Sequence, residues 1–107
     1  MSLEEFKEMV LSFQGIQVHP HFDRTAFKVE GRRIIATLHE ESESANIVLP
    51  IPEQELFCAL NKAIYPAPNK WGPLGWTTFE LKKTDHCTVL DALSSAYQDV
   101  VKKRHDK

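Results

Sequence analysis

The chain has 107 residues, a mass of 12.3 kDa, 42% hydrophobic and 26% charged residues, and a formal charge of −2 with an isoelectric point near 6.2. This composition excludes disordered, fibrous and collagen-like classes, and the length fits one domain, residues 1–107, with a single core. The slightly acidic balance argues against a dedicated nucleic-acid binder, whose domain pI usually exceeds about 9, but it leaves room for a local basic face.

Leu3, Phe6, Val10 and Phe13 recur at helical spacing and predict an N-terminal helix. Ser2 and Glu5 read as its capping box, and Gly15 is placed to end it with a left-handed residue. The acidic start has neither the basic n-region nor the apolar h-region of a signal peptide. No apolar stretch approaches the roughly 20 residues needed to span a bilayer. The expectation is a cytoplasmic protein with no membrane contact.

Phe27 and Val29 alternate with Lys28, Glu30-Gly31 supplies a tight turn, and Ile34, Ala36 and Leu38 alternate beyond it, which predicts a hairpin. Residues 40–44 form an acidic polar loop, and Ala45–Leu49 a short strand closed by Pro50 and Pro52. Pro52 through Ala63 reads as a helix, with Leu56, Ala59, Leu60 and Ala63 as its buried stripe. Pro66 and Pro68 then block regular structure. Trp71 to Trp76 is a bent aromatic loop, with Trp76 expected in the core. Thr77, Phe79 and Leu81 mark another strand. Asp85 is placed to cap the last helix, whose stripe is Leu90, Leu93, Tyr97 and Val100 and whose end carries Lys102, Lys103 and Arg104. The order predicts an α+β class: an antiparallel sheet flanked by N- and C-terminal helices, with one sheet face left uncovered or used for binding.

Catalytic and metal chemistry find little support in these residues. Cys58 and Cys87 are too far apart for a C-x-x-C motif and are expected to be free, buried thiols. His19 and His21 share one side of an extended segment, but a third metal ligand would have to come from His39, Glu40 or Asp23 through the fold. Two loop histidines are more often solvated than ligating. His86 and Cys87 diverge by about 100° on a helix, so they do not make a nucleophile and base. Gly72 to Gly75 lacks the phosphate-loop pattern. Tyr97 is expected to close a core hydrogen bond. The reading is a non-enzyme without cofactor or metal.

The ordered motifs resemble the MmcQ/YjbR family of small bacterial proteins. They are Gly15 after the first helix, Ala26-Phe27-Lys28-Val29-Glu30-Gly31, Arg33-Ile34-Ile35-Ala36-Thr37-Leu38, Asn69 to Trp76 leading into Thr77-Thr78-Phe79-Glu80-Leu81, and Ser95-Ala96-Tyr97. The resemblance covers nearly the whole chain. It implies a helix-capped antiparallel sheet with an outline similar to frataxins and secretion chaperones. It also implies a double-wing DNA-binding fold in which hairpins are the wings.

Charge is polarised along the chain. Residues 24–39 carry a net +3, residues 40–55 carry five glutamates and no Lys or Arg, and residues 62–83 carry a net +3. The two basic segments would form the wings. The candidate DNA contacts are Lys28, Arg32, Arg33, Lys70, Trp71, Lys82 and Lys83, with Trp71 stacking and the cations on phosphate. So few contacts predict weak, salt-sensitive binding by a monomer. The alternative is a protein- or small-ligand-binding module with no nucleic-acid role and an aromatic-lined patch that includes Trp71. A shared positive face favours DNA. Dispersed cations around an apolar cleft favour a ligand or partner.

Overall fold

The computed structural model describes residues 1–103. The chain runs α1 (Leu3–Leu11), β1 (Ile16–His21), β2 (Arg24–Val29), β3 (Ile34–His39), β4 (Ser44–Val48), α2 (Ile51–Leu60), β5 (Ile64–Pro66), β6 (Trp76–Glu80) and α3 (His86–Lys103). All neighbouring strands are antiparallel, in the order β1-β2-β3-β4-β6-β5, so the class is α+β with helices flanking the sheet in sequence. No helix among the described residues is long and apolar enough to cross a membrane.

The N-terminal capping box forms as expected: the Glu5 amide donates to Ser2 Oγ at 3.1 Å, and the Ser2 amide donates to Glu5 Oε1 at 2.8 Å. That backbone bond from Ser2 is the main reason the Glu5 carboxyl sits below its ordinary range. The helix stops at Leu11, short of Phe13, whose ring instead packs at a tilt against Tyr97 with centroids 5.0 Å apart. Gly15 has φ +81°. The Tyr97 hydroxyl donates to the Gln14 carbonyl at 2.7 Å, at the surface rather than in the core.

The chain then enters β1, a paired strand in place of the expected extended segment with loop histidines. All six of its residues pair with β2, and five of them are exposed. The predicted hairpin forms, with one correction. Phe27 pairs with Ala36 and Lys28 with Ile34, so Ile35 is an extra residue on β3, a β-bulge. The bulge breaks the alternation. Ile35, Ala36 and Leu38 enter the core, while Ile34 is only half-buried.

Phe6 and Val10 of α1 and Val89, Ala92, Leu93, Ala96 and Val100 of α3 pack with Phe27, Leu38, Ile47 and Phe79 of the sheet into one core. The stripe of α3 is therefore rotated from the expected one: Leu93 and Val100 are in it, but Leu90 is exposed and Tyr97 half-buried. Alanines at 92 and 96 let the helix lie close on β3 and β4, which larger side chains there would prevent. Asp85 caps α3 as expected. Hydrogen bonds from the Thr88 side chain and backbone hold its carboxyl below the ordinary range. Arg104, expected at the end of this helix, lies outside the described residues.

Helix α2 also turns a different face inward. Gln54, Phe57 and Cys58 face the sheet, while Leu56 and Leu60 are 67% and 72% exposed. Ala59 is exposed too, and of the expected stripe only Ala63, beyond the helix, is buried. Both stripes have helical spacing. The one that wins seats Phe57 edge-on against Phe79, with centroids 6.2 Å apart, and satisfies the buried Gln54 amide. The Ser95 hydroxyl of α3 donates to the Glu53 carboxylate of α2.

Candidate functional site

Because the core lies on one side of the sheet, its opposite face carries no helix. Strand alternation decides what that face presents. Arg24, Ala26 and Lys28 come from β2, Ile34, Thr37 and His39 from β3, Asn46 from β4, and Trp76, Thr78 and Glu80 from β6. Trp76, expected in the core, is thus on the open face and half-buried. Core parity on β6 belongs to Thr77 and Phe79.

The loop 67–75 folds over part of this face. It is anchored by the Ala67 amide donating to the Trp76 carbonyl at 2.8 Å and the Leu49 amide donating to the Gly75 carbonyl at 2.8 Å. Gly75 has φ +106°, and a Cβ there would lie 2.2 Å from the Leu49 carbonyl oxygen, so only glycine fits. From beneath, Gln54 Nε2 donates to the Gly72 carbonyl at 3.0 Å and to Thr77 Oγ1 at 3.1 Å. Helix α2 therefore braces the loop through a buried amide.

Between this loop and the sheet is a groove of about 560 Å³, within the usual range for small-molecule sites. Phe22, Trp71 and Trp76 line its walls, and Arg24, Ile34, Thr37 and Asn46 its floor. Both tryptophans of the chain are there. A second groove of about 410 Å³ adjoins it, sharing Arg24, Asn46 and Asn69 and continuing past Ser44, Thr78 and Glu80. There the Tyr65 hydroxyl donates to Glu80 Oε2 at 2.8 Å, which with partial burial raises the phenol above its ordinary range.

The seven candidate DNA contacts do not share one place. Lys28 is on the open face. Lys70 lies over the Trp71 ring, 5.6 Å from its centroid, beside the groove. Arg32 and Arg33 belong to the β2–β3 turn, and Arg33 borders a different cleft with Leu49, Leu74 and Asp99. Lys82 and Lys83 follow β6 at the opposite end of the strands. They lie 3.1 Å from Glu43 and 3.8 Å from Glu80 respectively. The length of β3, about 17 Å at the usual rise, separates the two arginines from the two lysines.

His19 and His21 lie on exposed β1, and no group of three His, Cys, Asp or Glu side chains among the described residues is placed to hold a metal ion. Cys58 is half-buried, and burial pushes its thiol up; Cys87 is exposed rather than buried.

Three residues form a chain not anticipated from sequence: Asp23 Oδ2 lies 3.0 Å from His39 Nε2, and His39 Nδ1 lies 2.6 Å from Ser42 Oγ. The Ser42 amide also donates to Nδ1, at 3.2 Å, which makes Nδ1 the acceptor and Nε2–H the donor to Asp23. The order of groups is that of an acid–base–nucleophile triad, yet its surroundings work against an oxyanion. The Ser42 amide is used by His39, the Glu43 amide by the Glu40 carbonyl, and Glu40, Glu41 and Glu43 flank the serine. The chain ties the β1–β2 turn to the β3–β4 turn. Arg24, Phe22 and Asn46 were also missed. Arg24 was counted only as part of the basic segment, and the two-residue gap Phe22-Asp23 between paired strands is the signal that could have marked Phe22.

No family model, no curated protein and no solved structure matches this chain.

Proposed function

We propose that this protein is a non-catalytic ligand-binding module, cytoplasmic and monomeric, whose site is the groove on the helix-free face of its sheet. The observation that carries this reading is that a braced loop folds over the open face and brings Trp71 to a groove that Trp76 of β6 and a half-buried arginine also line. Exposed aromatics around a concave site with a few polar groups are the usual signature of small-molecule recognition. The finer fold assignment, a YjbR-like arrangement, belongs to this proposal and is supported by the order of motifs along the chain.

A second reading keeps nucleic acid as the occupant and moves it. Duplex DNA would need Arg32 and Arg33 to act with Lys82 and Lys83 from opposite strand ends, and both lysines have carboxylate partners. A single strand instead would run along the open face, with bases on Trp71 and Trp76 and phosphates on Arg24, Lys28 and Lys70. The Lys70–Trp71 stack favours this version. Three such contacts give a log–log salt slope of about −2.

The test is to follow the two tryptophan indole N–H resonances of ¹⁵N-labelled protein. Titrants are a set of small aromatic acids, amides and amines, a single-stranded oligonucleotide and a duplex. Saturable shifts with the small probes, lost in Trp71→Ala, are the expected result. Shifts from the single strand alone, with that salt slope, would replace it by the second reading. Silence to every probe defeats both.

A further inference from the structure

We infer that the groove takes a small ligand with a flat aromatic body and a single carboxylate, held between Phe22 and Trp71 and anchored by Arg24 and Asn46; this rests on the ligand-binding reading above. Phe22 and Asp23 are the two-residue loop joining β1 to β2, with His21 paired to Arg24 across it. Phe22 has φ +60° and Asp23 has no positive φ. That is the sign pattern of a II′ turn, whose first position normally takes glycine. A phenylalanine there is strained, and strain of this kind concentrates at ligand clamps. Packing does not explain the residue either. Phe22 is 97% exposed, and its one ring contact is His21 at 5.0 Å. Trp71, 48% exposed, borders the groove from the loop before β6. Two exposed rings brought from different parts of the sheet suit the two faces of a flat apolar group.

The floor supplies the charge. Arg24 is half-buried and has no acidic partner among the described residues; its one side-chain bond is a long 3.4 Å contact from Nη1 to Thr37 Oγ1. Asn46 is directly opposite Thr37 on β4, within the distance of paired cross-strand side chains. The Thr78 hydroxyl donates to Asn46 Oδ1 at 2.7 Å, so the Asn46 NH2 has no protein partner among the described residues. A guanidinium and a primary amide with free N–H groups on one floor fit a carboxylate. A dianion fits less well. Asp23 also lines the groove, and the cations bordering its continuation, Lys82 and Lys83, are already paired with Glu43 and Glu80, which leaves Arg24 as the one cation on the floor without an acidic partner among the described residues.

The experiment uses the full ¹⁵N-labelled chain and three probes that share one ring system: 2-naphthoate, neutral 2-naphthamide and dianionic 2-naphthyl phosphate. Naphthoate is expected to shift both indole N–H resonances and to bind about tenfold more tightly than naphthamide, the worth of one charge-assisted hydrogen bond. The phosphate should bind more weakly than naphthoate. Arg24→Gln should erase the preference for naphthoate over naphthamide. Phe22→Gly should weaken naphthoate while raising Tm by about 4 °C or more, because it relieves the turn. A residue kept only for structure cannot move the two readouts in opposite directions. Equal binding of naphthoate and naphthamide overturns the carboxylate assignment and leaves the groove reading intact. Unchanged affinity in Phe22→Gly overturns the clamp. If no probe moves either indole, both the inference and the groove reading fall.

Discussion

On the helix side, β3 and β4 present Ala36, Leu38, Ala45 and Ile47, all fully buried. On the other side the same two strands present Ile34, Thr37, His39, Ser44 and Asn46. One face is closed by three helices; the other is covered only in part, by a loop. Thr37, Ser44 and Thr78 on the open face are nonetheless buried, and no buried side-chain nitrogen or oxygen among the described residues lacks a partner. The open face is thus a polar floor whose buried groups are satisfied and whose accessible donors, Arg24 and Asn46, remain available. Stability is concentrated on one side of a single sheet, and the proposed recognition site lies on the other.

The largest expected contrast comes from truncating one aromatic on each side. Phe79→Ala removes a fully buried ring from the core and should cost about 3–5 kcal/mol in urea denaturation. Trp71→Ala should change stability by no more than about 0.5 kcal/mol, as exposed substitutions usually do, while abolishing binding in the groove. Comparable destabilisation by both would erase the division of labour.

Gln54 sharpens the comparison because it joins the two sides. Gln54→Leu leaves the Gly72 carbonyl and Thr77 hydroxyl without this donor and should cost about 1–3 kcal/mol. It should also move the Trp71 and Trp76 indole resonances without any ligand present. Unmoved resonances would mean that the helix does not brace the loop.

The smallest effect is alkaline. The Glu80 carboxylate accepts from the Tyr65 hydroxyl and raises that phenol, so folding favours its protonated form. The associated stability is complete below the ordinary tyrosine value near 10 and is lost as pH rises through the raised one. A Tm profile above pH 9 should fall less steeply in Tyr65→Phe than in the parent. Identical slopes would remove Tyr65 from the account.

Features set by near neighbours were legible in the sequence. The Ser2–Glu5 box, the Asp85 cap, the turn at Glu30-Gly31 and the alternation around Phe79 each depend on a few adjacent residues, and each forms. Strand β1 was hidden by Pro20 and by an almost wholly exposed side-chain pattern, which is what an edge strand shows. The bulge at Ile35 had no local marker. The face of α2 was set by distant acceptors at Gly72 and Thr77, so helical periodicity alone favoured the leucines. The basic segments were correctly counted, but a net charge along the chain does not say at which end of a strand each cation falls. The groove is the least local feature, since Phe22 with Arg24, Asn46 and Trp71 come from three separate pieces of chain.

The clamped loop has a kinetic consequence. Gly75 sits against the Leu49 carbonyl, Gly72 against Ala67, and Gln54 holds the Gly72 and Trp76 carbonyls from below. That wall stands before any ligand arrives, so entry does not wait for a segment to order. The observed association rate should then climb linearly with ligand concentration, without the plateau that a slow closing step imposes. A ligand bound as proposed would then be held by the exposed Phe22 tip, and its residence time would be a property of one hairpin turn.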